Sequence, residues 1–345
     1  MKGLNMRKAI MTIALSLVGL VAILAGVWFT NLFGLKEGIY VSQIVKMRVA
    51  PERLTNPKTP QDYGMAYTDV EFTTADNVRL SAWEIPAAAA SDRTLIVNHP
   101  LGTTRYGSLE GLDGVAVEFL PMIKHLHDAG YNVVMYDHRG QGGSDGGTGK
   151  TLMGTEAPVG VGETEWQDVV ASLRYVKAHA TFGDDQIGFV SQCMGANATF
   201  LAWQNEPELF SDTMITSLVA IQPPISYNMN DRFIMAKTGL DLVDKVLDAQ
   251  REKYGFGYAD IMTTVKSLTV PVLYTQVRKD EYTFDVLTGR NDIEDVVEVT
   301  PTENQLIWIG PNEANPHGTG KRFDGYGYFN EHPEELLSFL NGKFS

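Results

Sequence analysis

The hydrophobic positions of this chain fall into short, separated runs with two different periods. Residues 67–73 and 78–85 are strand-like on either side of Ala75-Asp76-Asn77, and they predict a hairpin. Residues 94–98, 131–136, 187–190, 218–222, 270–276 and 305–309 are short apolar runs without alternation, the pattern of strands buried on both faces. Between them, residues 119–129 carry a helical period that stops at Gly130, with Pro121 tolerated in the first turn. Residues 163–180 set Trp166, Val169, Val170, Leu173 and Val176 on one helix face. Residues 196–206 and 332–340 read as two further helices. Strands alternating with helices predict βαβ units, and so an α/β fold whose sheet is mostly parallel with helices on both faces.

Two segments depart from that alternation. Residues 223–268 interrupt it with a helix-like stretch, 240–253, and several aromatics; connections this long in compact domains are often functional. At the other end, residues 9–29 carry no charge, and at helical rise they reach about 30 Å, a bilayer core. Lys2, Arg7 and Lys8 precede this run, so residues 1–8 are expected in the cytoplasm and the large domain on the extracytoplasmic side of a single-pass membrane protein. In a bacterium that side is the periplasm. A cleaved signal peptide is the rival: it has a shorter apolar core and a small-x-small site, and here Ala25 is small but Ile23 is not. Residues 30–66 then read as a linker. In it Ile39, Val41, Ile44, Val45 and Val49 suit a short amphipathic helix resting on the membrane or the domain, and Pro51, Pro57 and Pro60 keep the chain open.

Composition narrows the class. The chain has 345 residues, 44% of them hydrophobic, enough for one large α/β domain or two small ones. A net charge of −14 argues against nucleic acid, which calls for a basic stripe. A single cysteine excludes any internal disulfide.

That cysteine lies in the most informative stretch. Residues 187–190 run directly into Ser191-Gln192-Cys193-Met194-Gly195 and then into a helix. A strand that turns into a helix over so few residues needs small side chains beside the apex, and Ser191 and Gly195, two positions either side of Cys193, supply them. Ser191 as the apex would put bulky Phe189 where a small residue belongs. Free Cys is often simply a buried core residue, and the local pattern is what argues against that here.

Small-x-Cys-x-small resembles the nucleophile elbow of the α/β-hydrolases, with Cys where Ser is usual. Asn98-His99-Pro100-Leu101-Gly102 resembles the family's His-Gly oxyanion loop. Ala129-Gly130-Tyr131, followed by Asp137-His138-Arg139-Gly140-Gln141-Gly142-Gly143-Ser144, resembles its Gly-Tyr … Asp-x-Arg-Gly-x-Gly-x-Ser stretch. Val270-Pro271-Val272-Leu273 leads to an acid, in the same order. The resemblance covers residue 67 to the end, and a Cys at the apex is similar to the dienelactone hydrolases. It implies an α/β-hydrolase domain over 67–345 with a small helical lid over about 224–268.

The resemblance also implies chemistry. A thiol attacks a carbonyl as thiolate, which a neighbouring His and a helix N-terminus both favour. The oxyanion hole would use the N–H groups of Met194 and Leu101, since Pro100 has none. The orienting acid is expected after strand 270–276, at Asp280, with Glu281 and Asp285 as competitors. The base is expected after the last strand, at His317, with His332 as the alternative and no functional base as a third possibility. His99 is expected to support its loop. The aromatic run from Arg322 to Phe329 either walls the pocket or packs the C-terminal helix.

A Cys193–His317–Asp280 triad predicts an enzyme that cleaves an ester, thioester or lactone through an acyl-enzyme. Its partners would be a small acyl substrate and the lipid bilayer, and neither metal nor organic cofactor is implied. Two rivals remain: an inactive hydrolase-like binding protein, and an acyltransferase. Other signals are weaker. Gly147-Thr148-Gly149-Lys150-Thr151 imitates a P-loop end but has Ser144 where its first glycine belongs. His125 and His127, two apart on a helix, point to different faces and make no metal pair. Asn197-Ala198-Thr199 matches a glycosylation triplet but lies in the elbow helix.

Overall fold

The β-branched and apolar runs assemble into one eight-stranded sheet. The computed structural model describes residues 34–108, 116–150, 156–310 and 322–344, together with Leu17, Val18 and Val21. The strands are β1 (Thr68–Thr73), β2 (Arg79–Ile85), β3 (Arg93–Asn98), β4 (Asn132–Tyr136), β5 (Gln186–Gln192), β6 (Ile215–Ile221), β7 (Val272–Val277) and β8 (Asn304–Ile309). Their order across the sheet is β1-β2-β4-β3-β5-β6-β7-β8. β1 pairs antiparallel with β2, and β2 antiparallel with β4; every other pairing is parallel. The hairpin turns at Asn77, whose φ of 66° lies in the left-handed region that Asn tolerates.

The unalternating strands are explained by two cores, one on each face. Ile96, Val134, Phe189, Leu218 and Tyr274 point one way, against α3 (Trp166–Ala178) and α4 (Met194–Asn205). Their neighbours Leu95, Val97, Val133, Val190, Val219 and Leu273 point the other way, against α2 (Leu120–Asp128) and the C-terminal α8 (Pro333–Asn341). A strand apolar at both parities must be covered on both sides.

Register places the functional end. Asn98 of β3 lies opposite Ser191 of β5, and Gln192 lies opposite Ile221 of β6. The residues that follow each strand therefore emerge together, at the carboxyl edge where ligands bind in open α/β sheets.

The connection after β6 carries two long helices, α5 (Ser226–Thr238) and α6 (Val243–Tyr254), and a short helical stretch, Ile261–Ser267. The sequence pattern shows only the second. The stripe that α5 buries is Ser226, Asn230 and Ile234, mostly polar, so no hydrophobic period marks it. The polar stripe is met from the linker. α1 (Leu35–Val49) packs Ile44, Val45 and Val49 against Ile234, Leu242, Val243 and Val246, and its buried Arg48 donates to Asn230 and, at 3.1 Å, to the Tyr258 hydroxyl. The domain, one of the two supports expected for this helix, is in contact with it. Farther on, Arg53 donates to the carbonyls of Gly142, Ser144 and Gly146.

Among the described residues no helix is long and apolar enough to cross a membrane. The expected span, 9–29, lies outside them apart from Leu17, Val18 and Val21.

Candidate active site

The elbow forms where the sequence places it. β5 ends at Gln192, Cys193 takes φ 49° and ψ −111°, and α4 starts at once with Met194. The sequence suggests a helix from residue 196; it starts two residues earlier because the left-handed Cys193 is itself the N-cap. A non-glycine residue at positive φ is strained, and such strain persists only where surroundings enforce it. Here the Cys193 N–H donates to the Ile221 carbonyl at 2.8 Å, and its own carbonyl accepts from Ala196 and Asn197. Both flanking small residues are required. A Cβ on Gly195 would lie 2.7 Å from Asn98 Cβ and 3.0 Å from the His99 carbonyl. Ser191 is fully buried, its hydroxyl accepting from Asn98 at 2.8 Å.

The loop after β3 is held from behind. His99 Nε2 accepts the His138 N–H at 2.9 Å, so the proton sits on Nδ1, which donates to the Pro100 carbonyl at 2.8 Å. Both ring nitrogens are spent on backbone, which makes His99 a loop support rather than a proton carrier. Burial, reinforced by neighbouring His138, pushes its pKa well below the ordinary histidine range. A group whose folded pKa is depressed stabilises the fold above its unfolded pKa, about 6.5, and that contribution is lost as pH falls. The thermal midpoint is therefore expected to drop as pH is lowered below about 6.5, less steeply in His99→Asn, as calorimetry at stepped pH would read.

The loop thus presents Leu101 to the start of α4, and the Leu101 side chain packs with Met194, Val159 and Val161. Neither the Leu101 nor the Met194 N–H has an acceptor among the described residues. Unspent backbone donors are what a tetrahedral oxyanion requires.

The segment after β7 sorts the three acids. Asp280 is fully buried, its Oδ1 accepting the Tyr282 N–H at 3.0 Å. Glu281 is exposed. Asp285 is turned to its own loop, accepting the Leu287 N–H at 2.8 Å.

What joins Asp280 to Cys193 was not foreseen. Arg322 Nη1 donates to Asp280 Oδ2 at 2.5 Å, and its Nη2 donates to Cys193 Sγ at 3.3 Å. The Tyr326 phenol is an electrostatic neighbour of the sulfur and of Arg322, and burial pushes it far above the ordinary tyrosine range, so it stays protonated. Both come from α7 (Asp324–Glu331) and the residues just before it. Of the expected bases, His317 lies outside the described residues. His332 stacks on Tyr328, ring centroids 4.6 Å apart, with Glu334 3.7 Å from its Nδ1.

Arg322 is held in place by Gln222, which follows β6 at φ 51°. Gln222 Nε2 donates to the Arg322 carbonyl at 2.5 Å, and its side chain lies against Gly325, where a Cβ would meet Cδ at 2.3 Å. Gln222 cannot give way without breaking its own hydrogen bond. Gly325→Ala is therefore expected to cost about 1–3 kcal/mol and to displace Arg322 and Tyr326 from the sulfur, as a denaturant midpoint and a crystal structure would show.

A strand-to-helix elbow, a loop after β3 packed against it and a buried acid after β7 are the arrangement of an α/β hydrolase. The description "alpha/beta hydrolase fold" belongs to a family model that matches residues 95–282, more than half of the chain, and the chain belongs to that family. An esterase of Pyrococcus furiosus is 23% identical, with a TM-score of 0.63 over 86% of this chain and 99% of that one. The Pyrococcus horikoshii acylaminoacyl peptidase is 12% identical with a TM-score of 0.52, over 81% of this chain and 42% of that one. At such identities these similarities concern the fold. No curated protein matches the sequence.

Proposed function

We propose that this protein is a membrane-anchored cysteine hydrolase that cleaves an ester, thioester or lactone by way of a thioacyl enzyme. The observation that carries the proposal is Cys193 at positive φ on its strand-to-helix elbow, joined to the buried Asp280 through Arg322. Cys193 Sγ adds to the carbonyl carbon, and the oxygen takes the negative charge under the N–H groups of Leu101 and Met194. Collapse breaks the carbonyl–leaving-group bond, and the departing alcohol or thiol takes a proton from the imidazolium of the base. The same histidine, His317 in this proposal and oriented by Asp280, then removes a proton from water, which attacks the thioacyl carbon and regenerates the sulfur. Residues 9–29 anchor the domain on the extracytoplasmic side.

One observation favours a second outcome for the intermediate. Arg322 aims a donor at the sulfur. An acyl group that waits for an alcohol or amine acceptor would make the protein an acyltransferase.

The test is hydrolysis of a short-chain activated thioester by the full chain. Turnover should vanish in Cys193→Ala, by about 10³-fold or more. A single stoichiometric burst, followed by release on adding an amine, supports transfer instead. Unchanged turnover in the mutant removes Cys193 from the chemistry.

A further inference from the structure

Arg322 is buried, and its charge is not free to serve solvent or surface. One arm of the guanidinium binds Asp280 Oδ2 and the other reaches Cys193 Sγ at 3.3 Å. An arginine has no acceptor and does not surrender a proton in a protein, so it cannot act as the base. Burial works against its charge, but Asp280, Tyr326 and Cys193 outweigh burial and hold it well above the ordinary arginine range. The Tyr326 phenol neighbours the same sulfur. The N-terminus of the twelve-residue α4 gives Cys193 a further positive influence. A thiol has little use for such partners, whereas a sulfur anion does.

We infer that Arg322 is a catalytic residue, which with Tyr326 holds the sulfur of Cys193 as the attacking anion. The inference rests on the proposed nucleophile and deepens it by dividing the labour. The anion draws on Arg322, and the histidine serves the leaving group and the water that follows. Electrons and protons balance without an added reagent: the thiol proton leaves to solvent before substrate arrives, the sulfur lone pair forms the thioacyl bond, and the carbonyl–leaving-group pair departs with the leaving group, which takes one proton from the imidazolium. Arg322 changes neither charge nor bonding through the cycle. Asp280 fixes the guanidinium through Oδ2, while its Oδ1 accepts the Tyr282 N–H.

Alkylation by iodoacetamide tests this without any substrate, and Cys193 is the only thiol in the chain. Rates are read on the full chain from about pH 5 to 9, a range that brackets the ordinary thiol value. Arg322→Met alone would strand a buried carboxylate, so the informative variant is the balanced pair Arg322→Met with Asp280→Asn, alongside Arg322→Lys and Tyr326→Phe. Thermal midpoints establish that each is folded. The native protein should react nearly as fast at about pH 6 as at about pH 8.5, and the balanced pair should be about tenfold or more slower at about pH 6 and recover at the higher pH. Arg322→Lys should lie between, and His317→Ala should keep the native profile. The inference falls if the balanced pair overlays the native curve. It also falls if that pair reacts faster, which would make Arg322 a plug, or if His317→Ala loses the reaction at low pH. Because alkylation needs no turnover, a protein that passes here and hydrolyses nothing refutes the proposed function and leaves Arg322 standing.

Discussion

Asp168→Ala is expected to remove about 3–5 kcal/mol of folding stability, a large share of the 5–15 kcal/mol a domain commonly has. The carboxylate is fully buried and fourfold bonded. Oδ1 accepts Arg139 Nε at 2.8 Å, while Oδ2 accepts the Arg139 N–H at 2.9 Å and faces His138 Nδ1 at 3.2 Å; Arg139 Nη2 also lies 2.8 Å from Oδ1. Burial favours its protonated form, but Arg139 and His138 overcome that and hold its pKa below the usual carboxylate range. Its contribution is present above that range and is lost on acidification. Without Asp168 the Arg139 guanidinium would keep only Asp76, on the hairpin turn, as a partner. The damage should spread to activity, because His138 donates its backbone N–H to His99, which braces the oxyanion loop. Urea unfolding gives the first effect and turnover the second. A loss under about 1 kcal/mol would mean that water replaces the carboxylate, against the burial described here.

Asp280→Asn is expected to lower turnover by about 10³–10⁴-fold, the scale at which removing a triad acid acts elsewhere. Two causes add: the base loses its orienting charge, and Arg322 loses the partner that aims it at Cys193. Glu281→Gln and Asp285→Asn should leave turnover within about twofold, since one is exposed and the other serves its own loop. Thermal midpoints establish that each variant is folded. A comparable loss in Glu281→Gln would reassign the acid.

How much of this was legible follows from range. The strands were readable because burial on both faces leaves continuous apolar runs, and the elbow because its small residues answer a local steric demand at Cys193. Asp280 was readable from its place after β7, although only burial separates it from Glu281 and Asp285. α5 was hidden, because its buried stripe is Ser226, Asn230 and Ile234 and its partner Arg48 lies 182 residues away. Arg322 was hidden for the same reason, 129 residues from Cys193. Nothing local marks an arginine among aromatics as a partner for sulfur. The one faint signal is Gly325, whose smallness is explained only by the side chain of Gln222. Helix and strand periods record what an element buries, and a polar contact between distant elements leaves no period.

The central claim is that Cys193 carries the acyl group. It is tested most directly by quenching the full chain in acid during turnover of an activated short-chain thioester and weighing the peptide that contains residue 193. The account predicts that this peptide gains the mass of the acyl group, that the adduct is absent in Cys193→Ala, and that it accumulates in His317→Ala. Continued turnover in Cys193→Ala, or turnover by the native chain with no acyl group ever found on Cys193, would contradict it.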